Sequence, residues 1–143
     1  MHFLPYDPGK LPTKKPPSKG DTLSIRVTGL PPFKDIHFSV RNPDHSNYED
    51  FKRLRDEAIK AMGGMAWYFG PIQINFTLYA PAISSKRTLL DYMAGIMDTV
   101  DGSCGSGFTY LPIIFEDDCQ VASSKIDFQK AEDIWYTIDV SFI

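Results

Sequence analysis

Near the end of the chain Ile134, Tyr136, Ile138, Val140 and Phe142 alternate with more polar residues over nine positions. An apolar set at period two occupies one side of a pleated strand, so this stretch predicts a strand with one face in a core. Such a strand needs neighbours for its backbone groups and a cover for its apolar face. The chain offers both. Leu23, Ile25 and Val27 alternate and predict a strand over about 22–29, stopped by Gly29-Leu30-Pro31-Pro32 because proline cannot donate to a ladder. Ile72, Ile74, Phe76 and Leu78 predict another, launched by Gly70-Pro71 and closed by Pro81. Ile36, Phe38 and Val40 fit a short strand, as do Leu111–Phe115; Cys119, Val121 and Ser123 fit one carried on by Ile126 and Phe128.

Two stretches carry the 3.6-residue period instead. Tyr48, Phe51, Leu54, Ala58, Ile59 and Met62 define an amphipathic helix that starts at the capping box Ser46-Asn47-Tyr48-Glu49 and closes at Gly63-Gly64. Its outward charges, Asp50, Lys52, Arg53, Asp56, Glu57 and Lys60, are balanced in sign and read as a solvated face. Leu89, Leu90, Met93, Ile96, Met97 and Val100 define the second helix, started by Thr88 with Asp91 as a capping box and ended by Asp101-Gly102. The expected fold class is therefore α+β: a single mixed β-sheet covered by two helices.

Residues 1–20 contain five prolines and no period, so they form an arm, while 21–143 form one domain. The arm carries four lysines against Asp7, a net of +3, and a chain total of -3 leaves -6 for the remainder. This balance gives no composition-level sign of nucleic-acid binding. Cys104 and Cys119 have neither metal-ligand spacing nor a disulfide framework, and His2, His37 and His45 form no metal motif. With no apolar leader and no apolar run long enough to span a bilayer, a reduced cytoplasmic setting away from the membrane is expected.

Glu116, Asp117 and Asp118 make the densest negative charge, placed where the apolar run Leu111–Phe115 surfaces. They either hold a metal with partners from the second helix or face solvent. Gly102–Gly107 is a flexible turn without phosphate-loop order, and Cys104 within it has no histidine near in sequence to act as its base. Trp67, Tyr68 and Phe69 are read as packing between helix and strand rather than as a base-stacking platform.

Five landmarks in order resemble the RusA family of Holliday-junction resolvases, small homodimeric metal-dependent nucleases. They are LSIRVTGLPP, NYEDFKRLRDEAIKAM, GPIQINFTLYAP, MDTVDG and FEDDCQV, and the match they mark runs from about Leu23 to Phe142. The resemblance implies a resolvase-like fold, a homodimer and, in active members, Mg²⁺ held by two aspartates of the helix and one of the later acidic pair. Counting back from Asp98-Thr99-Val100-Asp101-Gly102 puts Thr88 and Leu90 at the two helix aspartates and Ala94 at the assisting lysine, so only Asp118 is kept, with Asp117 beside it. A neutral hydroxyl and a hydrocarbon replace charged oxygen donors that Mg²⁺ requires.

The first expectation is accordingly a resolvase-like scaffold with a degenerate nuclease centre, holding no cofactor and retaining a DNA- or protein-binding role. The alternative is an active Mg²⁺-dependent endodeoxyribonuclease with relocated ligands: catalytic Asp118, Asp117 and Asp91, with Asp118 and Asp91 on the metal. A third reading is a non-enzymatic dimeric adaptor. Asp91 is otherwise a helix cap, and Asp117 and Glu116 surface acids. Lys86 and Arg87, ahead of the helix, are the candidate contacts to branched DNA.

Overall fold

The computed structural model describes residues 12–33, 48–101 and 112–143. Over these the elements run β1 (Thr22–Thr28), α1 (Tyr48–Met62), β2 (Ile72–Ala80), α2 (Leu89–Val100), β3 (Val121–Lys130) and β4 (Trp135–Phe142). The four strands make one sheet in the order β1-β4-β2-β3. Strand β4 is antiparallel to both β1 and β2, whereas β2 and β3 are parallel. Two parallel neighbours require a crossover, and α2 lies in that connection.

The alternation in β4 fixes the register. Tyr136, Ile138 and Val140 pair with Val27, Ile25 and Leu23 on one side and with Leu78, Phe76 and Ile74 on the other. All of these except half-buried Leu23 are buried, so one face of the sheet is apolar across three strands. Helix α1 packs Leu54, Ala58 and Met62 against that face, and α2 adds Met93, Ile96 and Val100. The other face keeps polar positions such as Gln73, Asn75, Thr137 and Asp139. There Tyr79 stacks on Trp135 at 3.7 Å between ring centroids, and the Arg26 guanidinium lies 3.9 Å from the Trp135 ring centre. The α+β architecture with a single mixed sheet and two covering helices is as expected.

Helix ends follow the sequence closely. Thr88 caps α2 in extended backbone, and the capping box with Asp91 is complete. After α1 the chain turns through Gly63 and Gly64, both at positive φ, where a side chain would be strained. Two expectations change. Phe115 makes only an isolated bridge with Tyr68 in place of a strand through Leu111–Phe115, whose first residue lies outside the described residues. The acidic run does not emerge from a strand end; it leads into a 3-10 turn at Asp118–Gln120, with Asp117 as its cap. Of the strand predicted from Cys119 onward, Cys119 itself lies in the 3-10 turn, and Val121–Lys130 form the single ten-residue strand β3. The short strand over Ile36–Val40, the glycine-rich Gly102–Gly107 turn and Cys104 lie outside the described residues, as does Ser46 of the first capping box.

The described part of the arm is tied down. The Thr13 and Lys14 amides donate to the Gly64 carbonyl, Ala66 donates to the Lys14 carbonyl, and the Gly20 amide donates to the Phe142 carbonyl. No helix among the described residues is long and apolar enough to cross a membrane.

Candidate metal centre

Because α2 returns antiparallel to β2 and β3, its C-terminal end comes back to the sheet edge where both strands begin. Asp98 lies in the last turn of the helix and Asp101 is its C-terminal cap, three residues on and therefore on the same side. The chain is then held close. The Ile113 and Ile114 amides both donate to the Val100 carbonyl, and Tyr68 donates to the Ile114 carbonyl. This return carries the 3-10 turn, and Asp118 with it, back over the helix end.

The outcome is a group of three carboxylates. One oxygen from each of Asp98, Asp101 and Asp118 lies within 4.8 Å of the other two. Asp101 is buried, Asp98 half-buried and Asp118 exposed, so the group has a closed inner side and an outer side towards solvent. Like charges at this separation repel, and two of them sit at the negative end of a helix whose last turn holds no basic residue. Each acid so placed costs about 0.3–1 kcal/mol at a helix C-terminus, and a divalent cation would offset both penalties at once. All three donors are hard oxygens, which suit Mg²⁺, Mn²⁺ or Ca²⁺ rather than a thiolate- or imidazole-seeking metal. The residues present are thus close enough to coordinate a divalent ion.

The residues singled out from the sequence fall as follows. Asp118 is in the group; Asp91 and Asp117 are not. Asp91 caps α2 from the opposite end: its carboxylate accepts from the Thr88 amide at 3.2 Å while its amide donates to Thr88 Oγ1 at 3.0 Å. Asp98 is seven positions further along the helix, about 10 Å along the axis at 1.5 Å per residue. Asp117 accepts from the Cys119 amide at 3.0 Å and so shapes the turn. That hydrogen-bonding carboxylate, with its charge, pushes the exposed Cys119 thiol up, away from nucleophilic use.

Lys86 and Arg87 lie ahead of α2, at the far end from the acids. Both amides donate to Ser84 Oγ, and the Arg87 guanidinium covers the Phe33 ring at 3.8 Å. Lys86 is the more exposed of the two.

Asp98 and Asp101 are not singled out by the sequence, where they serve only to set the register of the helix. The available signal was their spacing of three at the end of an amphipathic helix, which puts two acids on one side where the helix dipole disfavours them. No protein-family model matches the chain, and no curated protein does.

Proposed function

We propose that this chain is a divalent-cation-binding protein of the Holliday-junction-resolvase type, directed to branched DNA. In this reading Asp98, Asp101 and Asp118 hold Mg²⁺. The convergence of those three carboxylates is the observation that carries it. The order of the five landmarks supports the family assignment, and the mixed sheet with two helices is compatible with it. Thr88 and Leu90 occupy the positions where the resemblance calls for charged ligands, and Thr88 is engaged in capping, so strand cleavage is slow or lost while cation binding is kept.

The chain's own residues would act in a simple way. Buried Asp101 and half-buried Asp98 form a fixed floor, and exposed Asp118 closes the ligand set from the opposite segment. A divalent cation held by these three acids would supply charge neutralisation to a phosphodiester oxygen. Lys86 is the contact to phosphate away from the site, with Arg87 oriented by Phe33.

Titration with Mn²⁺, followed by electron paramagnetic resonance, tests the site. Saturable binding in the millimolar range or tighter is expected, and Asp118→Asn should abolish it. In the metal-free protein the same substitution should leave stability equal or slightly raised, since it removes one of three repelling charges. Absence of saturable binding by the unsubstituted protein would overturn the reading. A second reading, a non-enzymatic dimeric adaptor, is favoured by the charge of -6 beyond the arm, which leaves few cations for phosphate. Failure to retard a four-way junction at low salt would select it.

A further inference from the structure

Asp118 is exposed, so the place of its carboxylate is set by the backbone that carries it. That backbone is a three-residue 3-10 turn. Such a turn is too short to hold its own position. One side chain fastens it. Oε1 of Gln120 accepts from the Glu116 amide at 2.8 Å and from the Asp117 amide at 3.0 Å. Nε2 of Gln120 donates to the Tyr68 carbonyl at 2.8 Å and to the Gly70 carbonyl at 2.9 Å.

A glutamine amide has two acceptor lone pairs and two donor hydrogens, and here all four are used. The oxygen faces only N–H groups and the nitrogen only carbonyls, so the orientation of the amide is fixed by its partners. The group therefore joins the segment leading into Asp118 to the segment leading into β2. The segment leading into Asp118 is also held upstream, where the Ile113 and Ile114 amides donate to the Val100 carbonyl and the Tyr68 amide donates to the Ile114 carbonyl. Between that upstream anchor and the start of β3, the residues next to Asp118 are fastened to the rest of the fold by the Gln120 amide.

Resting on the cation-site reading above, we propose that Gln120 is a positioning residue for that site: it sets Asp118 against Asp98 and Asp101 without touching the ion. Groups that orient metal ligands from behind are worth about 10- to 100-fold in affinity. Leucine fills similar space and makes none of the four hydrogen bonds. Glutamate keeps both acceptor contacts but turns its second oxygen on the carbonyls of Tyr68 and Gly70, which repel it.

The test compares Mn²⁺ affinity and thermal stability, with and without Mn²⁺, for the full chain and its Gln120→Leu and Gln120→Glu variants. Affinity is expected to fall about 10- to 100-fold in both variants. The rise in melting temperature that Mn²⁺ gives the unsubstituted protein should shrink in parallel. A purely structural role would lower the metal-free melting temperature and leave Mn²⁺ affinity unchanged, and that result removes the role given to Gln120 while the cation site stands. No saturable binding by the unsubstituted protein removes both together. Should Gln120→Leu not fold, Gln120→Asn carries the same comparison, since it keeps the amide but is one methylene too short to reach both segments.

Discussion

The Tyr136 hydroxyl is buried in the core, and no described residue hydrogen-bonds it. Burial pushes it well above the ordinary tyrosine range, with Asp50, Arg53 and Glu57 of α1 as smaller influences. Leaving such a group without a partner costs about 1–3 kcal/mol, so Tyr136→Phe should be neutral or stabilising by about 1 kcal/mol in urea denaturation. The sign of the pH dependence follows from the raised value. The native state keeps the proton after the unfolded chain has lost it, so this contribution is whole below the unfolded value near about 10. It is lost as pH rises from there through the folded value, and Tyr136→Phe should flatten the alkaline fall in stability. At this scale the sequence was only partly legible. Asp91 fitted both a cap and a metal ligand, and local chemistry favoured the cap because its partner Thr88 is three residues away. Asp98 and Asp101 gave only the local sign of their spacing at a helix end, because their third companion, Asp118, is close only through the fold.

Helix α2 shows why an element can be read from its sequence while its packing cannot. Its span and capping box followed from period and spacing. The role of Gly95 did not. A Cβ at that position would fall onto the Pro32 carbonyl group and close to Phe33 Cα, all of them backbone. The segment leaving β1 therefore crosses the helix at this glycine, and Phe33 goes on to meet the Arg87 guanidinium. Gly95→Ala would gain about 1 kcal/mol of helix propensity in isolation. The collision should outweigh that gain, leaving a net loss of about 1–3 kcal/mol in chemical denaturation. An unchanged or raised midpoint would show that the crossing segment gives way freely. The acidic run illustrates the same limit. Its three charges suggested a strand end, but Asp117 and Gln120 make a capping box for a 3-10 turn, and a box so short is hidden within a run of acids.

Across the whole molecule, charge and assembly decide what the scaffold can bind. The arm's net of +3 stands against -6 elsewhere, so attraction to DNA has to come from few groups. If Lys86 and Arg87 touch phosphate, changing both to alanine should weaken four-way-junction binding and lower the salt slope by about 1 for each phosphate no longer neutralised. Most of that weakening should follow from Lys86→Ala alone, because Arg87 is stacked on Phe33. Binding with an unchanged salt slope would reject both. The homodimer is a proposal from the resemblance, and light scattering that gives a monomer at tens of micromolar would withdraw it. The sequence by itself determined the periods of the two helices and of β1, β2 and β4, and with them most of the apolar side of each, because these depend on neighbours a few positions apart; Leu90, assigned by period to the apolar face of α2, is 70 % exposed. Only the tertiary structure decided the strand order, the passage of β1's exit over Gly95 and the meeting of Asp98 and Asp101 with Asp118. Those are contacts between distant segments, which local periodicity does not encode; the last of them forms because the crossover through α2 brings the chain back to the end of the sheet where β2 and β3 begin.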